Sequence, residues 1–139
     1  MIPMFKVAMS PHASEKVAEV LQSGMVGEGP QVETFTKEIA KLFDNENVLL
    51  LNSCTSALTL ALRLVGIRPG DEVISTPFTM VATNAAIMTT EARIIWADIN
   101  SDNVNISAQS IAEKITPKTK AIVVTNVGGI PCDLDFIGS

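Results

Sequence analysis

Histidine occurs once, cysteine twice, and lysine and arginine together only ten times in 139 residues, and each scarcity closes off a class of chemistry. With His12 alone, a histidine-based triad or metal cluster has no second imidazole to draw on, and a position in the first turn of a helix makes it a surface residue. Cys54 and Cys132 lie far apart without CxxC spacing, which disfavours a zinc site; two buried thiols are expected instead. The basic residues are scattered among fifteen acidic ones, for a formal charge of -5. No row of cations exists to neutralise the phosphates of a nucleic acid or an anionic membrane. No apolar stretch reaches the ~18 residues that span a bilayer, and Met1-Ile2-Pro3-Met4-Phe5-Lys6 lacks the basic-then-apolar layout of a signal peptide. A soluble, cytoplasmic protein with no nucleic-acid, membrane or metal partner is expected. Asn105-Ile106-Ser107 matches a glycosylation acceptor, but without secretion Ser107 reads better as a helix cap.

What is present is apolar residues, at 47%, enough for one domain with a real core. Gly and Pro punctuate the periodic segments. Ser10-Pro11 opens a helix running to Ser23, with Val17, Val20 and Leu21 as its stripe and Gly24 just past its end. A Gly-rich loop, Met25-Val26-Gly27-Glu28-Gly29, leads to a helix begun by Pro30, whose apolar positions Val32, Phe35, Ile39, Leu42 and Phe43 recur at helical spacing. Strands are then predicted at 47–51, 72–76, 93–97 and 120–125, alternating with helices at 56–65, 79–88 and 108–115. The strands are short and nearly all apolar, as when helices cover both faces of a parallel sheet. The expected fold class is α/β: three layers, a mostly parallel sheet with helices on both faces. Within one structural unit, the chain is expected to comprise a helical segment with its Gly-rich loop, 1–45, and an α/β portion, 46–139. Ligands of such sheets bind outside the carboxyl ends of the strands, where 53–56, 77–83 and 126–129 all fall.

Within that frame, Asn52-Ser53-Cys54-Thr55-Ser56-Ala57 places small hydroxyl residues on a strand-to-helix turn. A helix N-terminus offers unpaired N–H groups and the positive end of the macrodipole, so the segment suits a phosphate. An ordinary N-cap uses the same residue types and stays open as an alternative. Gly27-Glu28-Gly29 follows a helix and lacks a third glycine, so it is no dinucleotide fingerprint; its glycines permit close approach of a ligand or another chain, or simply separate two helices. Asp133 and Asp135 form a D-x-D, better explained by Asp133 capping a helix entered at Leu134 than by a metal. Asp98, at a strand end after Trp96, is either a ligand-facing residue or a turn former.

Taken together, Val26-Gly27-Glu28-Gly29-Pro30, Asn52-Ser53-Cys54-Thr55-Ser56-Ala57-Leu58, Pro69-Gly70-Asp71-Glu72-Val73-Ile74, Pro77-Phe78-Thr79-Met80-Val81-Ala82-Thr83 and Gly128-Gly129-Ile130-Pro131-Cys132-Asp133-Leu134-Asp135 occur in that order. In these blocks the chain resembles the DegT-type sugar-nucleotide aminotransferases, of fold type I of the pyridoxal-phosphate enzymes. The resemblance covers essentially the whole chain and implies pyridoxal 5′-phosphate as cofactor, within part of the large domain of such a transferase. It places Ser53, Cys54, Thr55 and Ser56 at the cofactor phosphate, with Cys54 where the family more often has Gly or Ala. Met80 falls where an aromatic ring usually stacks on the pyridine, and Thr83 matches a hydroxyl near the cofactor. Met25, Val26, Gly27 and Glu28 resemble a substrate-side loop. Asn126 stands on the substrate side where histidine is frequent. The implied partners are a nucleotide-linked keto sugar, an amino-acid donor and a second copy of the chain.

The family's reaction resembles a ping-pong transfer in which a lysine carries the cofactor and moves the proton. In the family that lysine and the carboxylate partner of the pyridine nitrogen lie beyond the Gly128–Pro131 block. None of the seven lysines (Lys6, Lys16, Lys37, Lys41, Lys114, Lys118 and Lys120) matches it. No catalytic residue is therefore assigned. The resemblance makes these residues the amino-terminal part of an aminotransferase, inactive alone and binding the cofactor weakly, and the closing Gly138-Ser139 fits that reading. A pyridoxal-phosphate sugar dehydratase, with histidine in place of the lysine, and a non-catalytic binding or self-association module are the alternatives.

Overall fold

The computed structural model describes residues 2, 3 and 6–138. Met1, Met4, Phe5 and Ser139, in the terminal stretches read above, lie outside the described residues. The chain forms two compact units, one up to Leu50 and one from Leu51 onward. No helix is long and apolar enough to cross a membrane among the described residues.

The first unit carries α1 (Ala13–Ser23) and α2 (Pro30–Phe43). The expected start of α1 at Ser10-Pro11 is a turn instead: Ser10 accepts the amides of His12 (3.2 Å, on Oγ) and Ala13 (3.0 Å, on its carbonyl), which delays the helix to Ala13. Gly24 ends it as expected, in the left-handed region at φ 72° with its N–H on the Leu21 carbonyl. Pro30 opens α2, since a first-turn position needs no N–H. Of the predicted α2 stripe, Val32 and Ile39 are half-buried, whereas Phe35, Leu42 and Phe43 are exposed.

The second unit holds the core. Its elements are α3 (Cys54–Leu64), β1 (Glu72–Ser75), α4 (Val81–Met88), β2 (Arg93–Trp96), α5 (Ala108–Lys114), β3 (Thr119–Ile122), a 3-10 turn at Val127–Gly129 and α6 (Leu134–Gly138). The sheet is parallel, in the order β2-β1-β3. Its central strand pairs Val73 with Ile94 and Ala121, and Ile74 with Ile95 and Ile122. Successive side chains of a strand point to opposite faces, so Val73 and Ile74 serve two different cores. Val73 packs with Leu62, Ile67 and Ile87 on the α3/α4 face; Ile74 packs with Ala97, Ile106, Ile111 and Cys132 on the α5/α6 face. Helices thus cover both faces, which is why β1 is buried at every position.

The predicted strand at 47–51 does not form. Its local backbone bond is Val48 N–H to the Glu46 carbonyl at 3.0 Å, and it joins no described strand. A strand exists only through its ladder, and an apolar run without a paired neighbour stays irregular. The sheet therefore has three described strands instead of four. The two buried thiols also need correction: Cys132 is buried, but Cys54, in the first turn of α3, is exposed.

Candidate functional site

At the start of α3, Ser53 takes an extended conformation (φ -160°, ψ 155°) and caps the helix, its Oγ accepting the Ser56 amide at 3.1 Å. The same Oγ lies 2.9 Å from Ser56 Oγ. The Ala57 amide closes the first helical turn on the Ser53 carbonyl. That leaves the amides of Cys54 and Thr55 without an acceptor among the described residues. Ser53 is thus an N-cap, and two N–H groups remain at a helix end, where the dipole favours an anion. Thr55 and Ser56 are half-buried, whereas Ser53 and Cys54 are exposed. Contrary to a strand-to-helix turn, the segment enters α3 from unpaired extended chain.

Past the carboxyl end of β1 a polar lattice fixes the next loop. Ser75 Oγ donates to Asn84 Oδ1 at 2.8 Å, and Asn84 Nδ2 donates to the Thr76 carbonyl at 3.0 Å, tying α4 to the strand end. Thr76 Oγ1 accepts the Phe78 amide at 3.2 Å. Thr79 Oγ1 donates to Thr83 Oγ1 at 3.1 Å and sits 3.0 Å from Thr125 Oγ1, beyond β3. A hydroxyl has one proton, so the second bond requires Thr125 to donate to Thr79. Thr83 is in this way joined across two strand ends. Met80, between them in sequence, is 73% exposed and offers α4 no side-chain cap.

Beyond β3, Asn126 is exposed and its Oδ1 accepts the Cys132 amide at 2.9 Å. Cys132 Sγ reaches the Thr125 carbonyl at 3.4 Å, and burial pushes its thiol pKa up. Asp133 caps α6 as expected, with Oδ1 on the Phe136 amide at 3.1 Å, and Ser107 caps α5 through the Ser110 amide. Asp98 is exposed past the end of β2, its Oδ1 accepting the adjacent Ile99 amide at 2.8 Å.

In the first unit, Met25, Val26, Gly27 and Glu28 are all exposed between α1 and α2. A Cβ at Gly29 would meet Met25 Cβ at 3.2 Å, so the close approach belongs to Gly29, while Gly27 faces open space. Met25, Gly27 and Gly29 line a cavity of about 230 Å³ together with Glu19, Val20 and Ser23.

Sequence reasoning did not single out Asn84, Thr125 or Asn105 as ligand or positioning residues. Asn84 had a readable signal, a lone amide inside the apolar run from Val81 to Met88. Thr125 and Asn105 had none, because their partners are 46 and about 25 residues away.

The chain as a whole is similar to known proteins. Residues 8–139 match the DegT/DnrJ/EryC1/StrS aminotransferase family. The chain is 42% identical over 123 residues to the spore coat polysaccharide biosynthesis protein SpsC of Bacillus subtilis, covering 88% of this chain and 32% of that protein. It superposes on the sugar aminotransferase CalS13 from Micromonospora echinospora with a TM-score of 0.91 at 40% identity, covering 99% of this chain and 38% of that one. NtdA from Bacillus subtilis, solved with bound cofactor PMP, superposes with a TM-score of 0.84 at 32% identity, covering 89% of this chain and 28% of that one. The chain spans about a third of the length of the curated relatives it matches. A parallel sheet clothed by helices, a hydroxyl-rich helix start and a family match over nearly every residue lead to one assignment: the chain belongs to the DegT/DnrJ/EryC1/StrS aminotransferase family.

Proposed function

We propose that these residues form the amino-terminal, cofactor-phosphate-binding part of a cytoplasmic pyridoxal-phosphate aminotransferase. Its substrates are a nucleotide-linked keto sugar and an amino-acid donor, and it works as a homodimer or higher oligomer. The observation that carries the reading is the pair of acceptor-free amides, Cys54 and Thr55, at the N-terminus of an eleven-residue helix flanked by the Ser53 and Ser56 hydroxyls. A cradle of backbone N–H donors and hydroxyls suits a phosphate group without a metal or a side-chain cation. The family match, and a structural relative solved with bound PMP, support pyridoxal phosphate as the group. When bound, it supplies the electron sink through which an amino group passes from donor to keto acceptor.

The chain's own part is binding and orientation. The Cys54 and Thr55 amides and the Ser53, Thr55 and Ser56 hydroxyls hold the phosphate; the Cys54 side chain does no chemistry. Met80 covers the ring with a thioether, a softer contact than an aromatic stack. Thr83 presents its hydroxyl from the Thr79–Thr125 chain. Met25, Val26, Gly27 and Glu28 form a substrate-side loop, and Asn126 contributes a substrate contact. None of the seven lysines serves as the cofactor lysine, so the 139-residue chain is inactive alone.

The test is a titration of the 139-residue chain with pyridoxal 5′-phosphate and, separately, with pyridoxal. Binding is expected to be weak and phosphate-dependent, at least tenfold weaker in Thr55→Trp, with no lysine covalently labelled after borohydride. Equal binding of pyridoxal, no effect of the tryptophan, or stoichiometric labelling at one lysine would overturn the assignment.

A further inference from the structure

Asn105, only 2% exposed, uses its whole carboxamide on one distant turn. Its Oδ1 accepts the Val127 amide at 2.9 Å, and its Nδ2 donates to the Ile130 carbonyl at 2.9 Å and the Pro131 carbonyl at 3.2 Å. The turn it grips needs holding. Gly128 and Gly129 both sit at positive φ, 62° and 81°, and glycine loses more conformational freedom on ordering than any other residue. The Val127 amide comes directly after Asn126, and the two carbonyls come directly before Cys132, whose amide Asn126 Oδ1 accepts at 2.9 Å. Both ends of the Asn126 side-chain geometry thus depend on atoms that Asn105 clamps. A backbone N–H needs an acceptor, which fixes the amide orientation of Asn126 with oxygen inward. The Asn126 Nδ2 has no partner among the described residues and lies on an exposed residue.

We propose that Asn105 is a positioning residue that locks the 126–132 turn so that Asn126 presents its Nδ2 to the substrate as a hydrogen-bond donor. The group opposite is then an oxygen acceptor of the sugar nucleotide: a carbonyl, hydroxyl or phosphate oxygen. The inference rests on the proposed function through the substrate role of Asn126.

Nitrogen-15 NMR of the 139-residue chain tests it, with uridine 5′-diphosphate glucose as the probe. In the unaltered chain the Asn126 side-chain amide pair is expected away from its free-amide position and to shift on adding the probe. In Asn105→Ala, the Cys132 amide should exchange at least tenfold faster while β1 amides keep their protection. The Asn126 pair should collapse to the free-amide position and cease to respond. Should Asn105→Ala unfold β1, Asn105→Asp serves instead, since it keeps the acceptor for Val127 and removes both donors. Unchanged Cys132 exchange, or an Asn126 pair that ignores Asn105, overturns the positioning role. No response of Asn126 to the probe in the unaltered chain overturns the donor role. The Cys54 and Thr55 amides, followed in the same samples with pyridoxal 5′-phosphate, report separately on the cofactor reading.

Discussion

Ser53 does two things with one oxygen, capping α3 and framing the two amides left over at its start. Replacing it by alanine removes the cap without touching the core, so Ser53→Ala should cost about 1 kcal/mol, read as a lower urea midpoint at unchanged slope. The two thiols differ just as sharply. Cys54 is exposed, whereas Cys132 is 6% exposed, with its pKa raised by burial. Fewer Cys132 thiols are ionised at any pH below the raised value, and the thiolate is the reactive form. Iodoacetamide at pH 8 should therefore label Cys54 first, and mass spectrometry should find Cys132 labelled only at higher pH or on unfolding. Hydroxyl and thiol types at 53–56 were readable from the residues alone. Which thiol is buried was not, because burial comes from α5, α6 and the strand behind Cys132, not from its neighbours in sequence.

At the scale of elements, β1 is the wedge between two cores, and its side chains cannot be exchanged between faces. Ile74 is fully buried against Ile106, Ile111 and Cys132, so Ile74→Ala should destabilise the chain by about 2–5 kcal/mol, measured by denaturant unfolding. A similar loss is expected for Ile87→Ala on the opposite face, and because the clusters are separate the two costs should add to within a few tenths of a kcal/mol. Helix ends at Gly24 and Asp133 were legible because capping is local, a matter of three or four residues. The 47–51 strand was not, because periodicity reports apolar character while a strand is defined by a partner.

Across the whole molecule, large apolar side chains remain open on the second unit, among them Leu64, Phe78, Met80, Val81 and Met88. The outer edges of β2 and β3 carry no described strand. Exposed apolar surface and open edges both favour association. The 139-residue chain should show a concentration-dependent mass above the monomer in size-exclusion with light scattering; a well-behaved monomer at high concentration would count against the oligomer assignment.

Residue order by itself determined the alternation of strands and helices from Glu72 onward, the helix caps at Gly24, Ser107 and Asp133, the hydroxyl-rich helix start and the family resemblance, because each depends on local sequence pattern. Only the tertiary structure decided that Ser53 leaves two amides free, that Thr79 links Thr83 to Thr125, and that Asn105 grips a turn some 25 residues away. Those facts depend on atoms brought together by the closing of a parallel sheet, and no local pattern records which distant backbone a buried amide will satisfy. The 53–56 segment shows the division: its chemistry is written in four consecutive side chains, but its unpaired N–H groups appear only once the helix is folded.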